Sequence, residues 1–218
     1  MHRIDTTSGL LRAAVAIARH ERPDSDANQV EAAISELAAA AARGIRSDSP
    51  QAKLAHLHDV LFDVVGFSGN NEDYYNPANS YLPEVLASRR GLPIALVLIY
   101  KCVAERLGLQ VWGINSPGHF LAAVDCPEPG QRSSVPGRRM YVDPFYGGQL
   151  LNRSEVFRRI GEATGQTEPP SGDWLAEASH REWIGRMLNN LQAVFAYSNR
   201  QRELFAMQEL QAPVNRLE

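Results

Sequence analysis

The chain has little cysteine and no long apolar run. Its 218 residues include two cysteines, too few for a disulfide scaffold at this length. No apolar stretch approaches the ~20 residues that span a bilayer, and the first residues lack the charged-then-apolar pattern of a signal peptide. We therefore expect a cytoplasmic protein without a membrane partner.

An excess of positive charge is also missing. A net charge of -3 and a pI near 6.1 provide no long-range attraction for nucleic acid. Isolated arginine pairs such as Arg158-Arg159 are interpreted as solvated surface. Hydrophobic residues make up 44% of the chain, enough for one core and a smaller helical appendage. The sequence leaves the oligomeric state open.

Patterns typical of metal and cofactor sites are absent from the sequence. His56 and His58 are two positions apart on a predicted helix and therefore face different directions. Gly147-Gly148 follows a predicted strand but lacks the lysine and hydroxyl of a phosphate-binding loop. We predict no metal and no cofactor.

Three short motifs follow one another in an order that suits nucleophilic catalysis. A predicted apolar helix opens at Pro93, and His119 and Asp143 then lie at two strand-like segments. A helix N-terminus stabilises a thiolate, a histidine accepts the thiol proton, and an aspartate fixes the imidazole tautomer. The order resembles the transglutaminase-like core, in which a cysteine begins the helix. Pro93 has no nucleophile, so this resemblance predicts the fold more strongly than the reaction.

Neither cysteine is expected to replace the missing nucleophile. Cys102 lies nine positions beyond Pro93, about 13 Å along the helix and on the opposite face. Cys126 lies seven strand positions beyond His119, about 23 Å away and with opposite side-chain parity. We expect Cys102 to be a small core residue.

This order of helix, histidine and aspartate resembles the transglutaminase-like core, a relative of papain-type thiol enzymes. The sequence also resembles the SirB-type invasion-regulator family in five segments: 66–70, 73–86, 90–94, 117–121 and 143–148. The resemblance implies a transglutaminase-like domain followed by tetratricopeptide-like helices, in bacterial cytoplasmic proteins without an established activity. It also implies that a helix start without cysteine is normal for the family.

Hydrophobic periodicity divides the chain into three regions of an α+β fold, with a central helix against a small antiparallel sheet. Residues 1–70 are predicted as an N-terminal helical layer, 71–165 as the transglutaminase-like core, and 166–218 as C-terminal helices. The predicted elements are helices over 8–21, 25–43 and 50–65, and strands over 110–114, 119–125 and 140–143.

Capping residues predict where the central helices begin and end. Ser80 is expected to cap a helix that Gly91 closes, and Pro93 suits the first turn of the next helix. Ser154 is expected to cap a later helix that runs to Gly165. Irregular segments are predicted over 126–139 and 169–172.

Two apolar stripes predict a C-terminal helical hairpin over 182–211, similar to one tetratricopeptide unit. A single hairpin cannot bury its apolar face alone, so it must dock on the core or on a partner. The first stripe consists of Trp183, Met187, Leu191, Val194 and Phe195, and the second of Leu204, Met207 and Leu210.

The candidate triad remnants are His119 and Asp143, which we expect to share a hydrogen bond. Gly118 is expected to allow close backbone approach beside His119, although a plain turn glycine is an equal interpretation. Asp143 precedes a proline and has the alternative of being only a strand-ending turn residue.

Four residues upstream of Pro93 could line the same cleft. The predicted binding residues are Asn79, Tyr81, Glu84, Pro93 and Gly118. Ser80 is a further candidate for the lining of the cleft. Asn79 and Ser80 are equally ordinary helix caps. Glu84 in a first helical turn is favourable against the helix dipole without any function. If it points inward, it could exchange protons with His119.

Three functions from different classes remain open. The first is a non-catalytic regulator that binds a peptide or protein in the former active-site cleft. The second is a thiol-independent amide or ester hydrolase in which His119, oriented by Asp143, activates water. The third is an interaction scaffold that works through the C-terminal hairpin. We favour the first, because Pro93 stands where the nucleophile would be.

Overall fold

The computed structural model describes residues 4–126, 139–165 and 172–215. Within these ranges the chain is an α+β structure, as predicted. The predicted connection over 126–139 and linker over 169–172 lie almost wholly outside the described residues. In the described part of the chain, no helix combines the length and apolarity that a membrane crossing requires.

The three predicted N-terminal helices are present. Thr6, Asp26 and Ser49 cap them, because each side-chain oxygen accepts a backbone N–H of the first turn. The third helix ends sooner than predicted and continues as a π-helical segment, Asp59–Val64. The helices are α1 (Thr7–Ala18), α2 (Ala27–Ala42) and α3 (Pro50–His58).

The next two helices, α4 (Leu82–Ser88) and α5 (Pro93–Arg106), flank the short strand β2 (Arg90–Gly91). The predicted caps of α4 were wrong at both ends. Ser80 lies in a preceding 3₁₀ turn, and the helix begins after Tyr81 without a side-chain cap.

Gly91 does not close α4, because the helix already ends at Arg89, which adopts a left-handed φ of 62°. Gly91 instead pairs with Gly69 of β1 (Ser68–Gly69), in a parallel two-stranded ladder. Pro93 occupies the first turn of α5 as predicted, since its missing N–H has no helical acceptor there.

Four antiparallel strands form the main sheet in chain order. The three predicted strands are present, and a fourth follows a tight turn after Asp143. The fourth strand was missed because it is only three residues long. The strands are β3 (Val111–Ile114), β4 (Leu121–Asp125), β5 (Arg139–Asp143) and β6 (Gln149–Leu151).

The sheet separates two apolar clusters. One face packs on α5, whose residues from Pro93 to Ala104 are all buried. The other face packs on α6 (Arg153–Thr164) through Val156 and Ile160. Asn152, not Ser154, caps α6, in a reciprocal capping box with Glu155. Alternating strand side chains therefore serve both clusters.

The C-terminal hairpin consists of α7 (His180–Tyr197) and α8 (Gln201–Asn215). Its first stripe is buried as predicted, and α7 docks on the chain's own core. The Trp183 indole donates a hydrogen bond of 3.3 Å to the Ile94 carbonyl. The second stripe was only partly right, since Met207 is fully buried but Leu210 is 42% exposed.

Candidate functional site

His119 and Asp143 meet at one edge of the main sheet. His119 lies just before β4, and Asp143 is the last residue of β5. Antiparallel pairing of these strands places the start of one beside the end of the other. The predicted hydrogen bond is present, with His119 Nε2 at 2.9 Å from Asp143 Oδ2.

Asp143 is fully buried and has several further partners. Its Oδ1 accepts the backbone N–H of Phe145 at 3.2 Å. Its Oδ2 also forms an ion pair with Arg159 of α6, which in turn contacts Gln149 of β6. The buried carboxylate is therefore matched by a guanidinium even when His119 is neutral.

Arg159 is the residue of this site that sequence reasoning missed. The Arg158-Arg159 pair was interpreted as solvated surface, which describes Arg158 but not Arg159. The side chain of Arg158 is 64% exposed and that of Arg159 only 19%. The available signal was helical spacing, because Arg159 lies three positions beyond Val156, on the buried face of α6.

The partner of His119 determines which ring nitrogen is free. A carboxylate accepts only, so Nε2 carries the proton. In the described residues, Nδ1 has no protein hydrogen-bond partner. The neutral imidazole therefore keeps an accepting lone pair on Nδ1, which could take a proton or a hydrogen bond from a ligand.

A pocket of about 390 Å³ opens beside this imidazole, and we call it the His119 pocket. Tyr146 lies on its wall, with its ring 6.1 Å from the His119 ring and 4.6 Å from the Arg159 guanidinium. The pocket thus presents an aromatic face between a histidine and an arginine. Its lining residues are His119, Tyr146, Arg158, Arg159, Glu162 and Ala163.

The helix start offers no nucleophile to this pair. Pro93 begins α5 and is buried, and Leu92 before it makes no side-chain cap. Cys102 is 1% exposed, and burial raises its pKa to about 12. Burial also raises the pKa of Cys126. Within the described ranges, neither sulfur is hydrogen-bonded to His119.

Gly118 has the conformation and the surroundings that close approach requires. Its φ is +71°, which favours glycine. An added Cβ would lie 3.1 Å from the Cβ of Ala163 in α6. The turn that carries His119 therefore packs closely on the helix that carries Arg159, which supports the close-approach interpretation of this glycine.

The other predicted binding residues do not line the His119 pocket. Asn79 is buried, where it donates to the Asp73 and Tyr74 carbonyls and accepts from Asn70 Nδ2. It therefore holds the preceding loop in place. Its function in ligand binding stays a prediction.

Tyr81 and Glu84 face the N-terminal layer instead. The Tyr81 hydroxyl donates to Glu21 at 2.7 Å, and burial raises the pKa of this phenol. Glu84 pairs with Arg22 at 2.7 Å, with both side chains substantially exposed. The condition that Glu84 points inward toward His119 is therefore not met.

His58 lies outside the His119 pocket, against α5. Its Nε2 is 3.0 Å from the Tyr100 hydroxyl, and burial lowers the pKa of the imidazole to about 4. In the described residues, no three potential metal-ligating side chains converge.

Comparison with known proteins agrees with this geometry. The family model described as transglutaminase-like superfamily matches residues 28–189, most of the chain. The chain belongs to the transglutaminase-like superfamily. The expected fold is thereby confirmed.

Several relatives are similar over long or short segments. A UPF0162 protein of Xylella fastidiosa (strain 9a5c) is 36% identical over 205 residues, covering 90% of this chain and 68% of the relative. UPF0162 protein PM0557 of Pasteurella multocida is 26% identical over 136 residues, covering 62% and 48%. Human F-box only protein 21 is 36% identical over 103 residues, covering 47% of this chain and 16% of that protein. No solved structure matches the chain.

Proposed function

We propose that this chain is a non-catalytic member of the transglutaminase-like superfamily that binds a peptide or protein segment beside His119. The observation that carries the proposal is a histidine–aspartate pair with no thiol beside it. His119 is oriented by Asp143, while Pro93 begins the helix that would supply the nucleophile. Such a site keeps a hydrogen-bonding imidazole and loses the covalent step.

A row of aromatic rings leading away from His119 supports peptide binding. Neighbouring ring centroids in the row lie 4.9–6.2 Å apart. Apart from Phe145, its members are 41–76% exposed. Exposed tyrosines with polar tips provide large contact area at low entropic cost, which suits an extended peptide. The row comprises Tyr146, Phe145, Tyr74, Tyr75 and Tyr197.

Peptide binding is tested by selection from a random peptide library, followed by affinity measurement on single variants. We expect Tyr75→Ala and Tyr146→Ala each to weaken a selected peptide roughly tenfold, as for aromatic anchors. Phe205→Ala is the matched control, because Phe205 is a 61% exposed aromatic outside the row. Peptides that bind equally well to all three variants would contradict this proposal.

Absence of catalysis is tested with a glutamine peptide and an amine. We expect neither ammonia release nor amine incorporation by the purified protein. Either activity, if lost on His119→Ala, would overturn the non-catalytic assignment.

A second candidate function is hydrolysis without a thiol. It is favoured by the free Nδ1 of His119 and the pocket beside it, where a water could be activated. A panel of amide and ester substrates should then show turnover that disappears on His119→Ala and weakens on Asp143→Asn. A panel without His119-dependent turnover would eliminate this candidate.

We further propose that the chain is a SirB-type protein with a regulatory function. We also propose that its α7–α8 hairpin is one tetratricopeptide-like unit. The helices contain 18 and 15 residues and together approach the ~34 residues of such a repeat. We also propose the division into an N-terminal helical layer over 1–70, a transglutaminase-like core over 71–165 and C-terminal helices over 166–218. Described residues of α1, α5 and α7 share one apolar cluster. The two buried free cysteines favour a reducing cytoplasm.

The hairpin itself is the third candidate, as a scaffold independent of the cleft. Its outer surface includes Phe205, which is 61% exposed on α8. If the hairpin alone captures the partner, Phe205→Ala should weaken binding while His119→Ala and Tyr146→Ala should not. The reverse pattern would favour the cleft.

A further inference from the structure

A second cavity, of about 570 Å³, lies between the hairpin and the turn that joins β3 to β4. We call it the Arg186 cavity. Its walls consist mainly of polar side chains from α7 and the end of α8, with Asn115 of the turn. Its lining residues are Asn115, Arg181, Glu182, Gly185, Arg186, Asn189, Asn190, Val214 and Asn215.

Arg186 is half-buried in this cavity, and the groups that contact it within the described residues are neutral. Its Nη1 donates to Asn115 Oδ1 and, at 2.8 Å, to the Ser116 carbonyl. Its guanidinium lies 5.5 Å from the centre of the Phe120 ring. In the described residues, no carboxylate forms an ion pair with Arg186. Burial accordingly lowers the pKa of its guanidinium.

The free edge of Arg186 is the part that a ligand would meet. Both protein hydrogen bonds use Nη1, so within the described ranges Nη2 and Nε have no protein acceptor. These two nitrogens form the parallel pair of donors with which arginine binds a carboxylate or phosphate in bidentate geometry.

The rest of the lining adds positive charge and neutral amides. Arg181 donates to the Val214 carbonyl at 3.2 Å, and it has no ion pair in the described part of the chain. Glu182 is committed to the start of α7, where its carboxylate accepts the backbone N–H and the hydroxyl of Ser179. Two arginines thus face one engaged carboxylate, which leaves an excess of one positive charge.

We propose that the Arg186 cavity binds the oxyanion of a ligand, a carboxylate or a phosphate, through the free edge of Arg186. Nearby amides of Asn115, Asn189 and Asn190 provide additional neutral donors. A half-buried cation without an acid is stabilised when an anion binds beside it. This inference is independent of the function proposed for the His119 pocket.

The test is calorimetric titration of the full chain with inorganic phosphate and with succinate, against a sodium chloride background of equal ionic strength. We expect saturable binding of at least one oxyanion. Binding of succinate alone assigns the site to carboxylates, and binding of phosphate alone assigns it to phosphates. Failure of both to bind saturably overturns the proposal.

Two variants with the same change in net charge separate a specific site from general attraction. Asn189→Asp introduces a carboxylate at an exposed position of the cavity, and we expect it to weaken the oxyanion roughly tenfold or more. Arg202→Gln removes a charge from an exposed position outside the cavity, and should change affinity less than about twofold. Equal losses in both variants would show non-specific attraction and overturn the site.

Arg186→Lys tests the bidentate geometry itself. It keeps the positive charge but removes the planar pair of donors, so affinity should again fall roughly tenfold. Unfolding curves recorded for each variant establish that the fold is intact. An Arg186→Lys protein that folds and binds as tightly as the original would contradict the assigned function of the guanidinium.

Discussion

The His119 pocket and the Arg186 cavity are both built around an arginine, in opposite electrostatic situations. Arg159 faces Asp143, which is fully buried, so each charge compensates the other. Within the described residues, the hydrogen-bond acceptors of Arg186 are the neutral oxygens of Asn115 and Ser116. A matched arginine stabilises its own surroundings, whereas an unmatched one keeps its charge available for a ligand.

The two sites nevertheless lie close together in the fold. The Ser116 carbonyl accepts both the Arg186 guanidinium and, at 3.3 Å, the backbone N–H of His119. The β3–β4 turn therefore lies between the two sites. The following predictions test whether they differ as their charges indicate.

The largest effect is expected from Asp143→Ala. This change leaves Arg159 and His119 without their shared carboxylate, and should lower the free energy of unfolding by about 3–5 kcal/mol. Urea denaturation measures it. Glu162→Gln is the control, because the Arg158–Glu162 pair is exposed and should contribute less than about 1 kcal/mol. Similar losses of unfolding free energy in both variants would contradict a larger stabilising contribution from the buried ion pair.

A direct comparison of the two arginines follows. Arg159→Met strands a buried carboxylate and should cost about 3 kcal/mol of unfolding free energy. Arg186→Met leaves only neutral acceptors and removes a poorly solvated charge, so it should cost less than about 1 kcal/mol. Chemical denaturation of both variants under one condition measures the difference. Equal losses of unfolding free energy in the two variants would contradict the proposed electrostatic difference between the two sites.

His58 provides a third case, a titratable ring beside the neutral hydroxyl of Tyr100. Burial lowers its pKa to about 4, below the ordinary 6.5. Below pH 6.5 the unfolded chain takes up a proton that the folded chain refuses, so stability falls as the pH decreases from 6.5 to 4. The expected loss is roughly 2–3 kcal/mol.

Denaturation at pH 7, 5.5 and 4.5 measures this loss. His58→Gln should remove most of it, whereas His20→Gln, at an exposed position, should not. If His58→Gln keeps the full acid dependence, the assignment of that dependence to His58 is wrong.

The smallest loss of unfolding free energy is expected from Gly113→Ala, which tests whether the packing of α7 on the sheet maintains the Arg186 cavity. An added Cβ would lie 2.3 Å from the Trp183 ring, so α7 must shift on the sheet. The cost should be about 2 kcal/mol of unfolding free energy. Gly185→Ala, whose Cβ meets Gln211 at 3.4 Å, should instead be neutral or slightly stabilising. Denaturation of both variants checks this, and equal destabilisation would contradict it.

Much of the fold could be predicted because it depends on local patterns. The apolar helix after Pro93, the strands around His119 and Asp143, and the buried stripe of α7 all follow from periodicity. Helix caps were less predictable, since Asn152 and Ser154 are both good capping residues and only the backbone decides between them.

The sequence by itself determined that the histidine and the aspartate would lie close together, because neighbouring antiparallel strands must bring their facing ends together. It also determined that no thiol stands at the start of α5. Only the tertiary structure decided the partners of the charges: that Arg159 reaches Asp143, that Glu84 pairs with Arg22, and that Arg186 has no acidic partner among the described residues. The physical reason is that a long side chain pairs with whatever the packing of distant elements places near its tip, and no spacing along the chain records that neighbour.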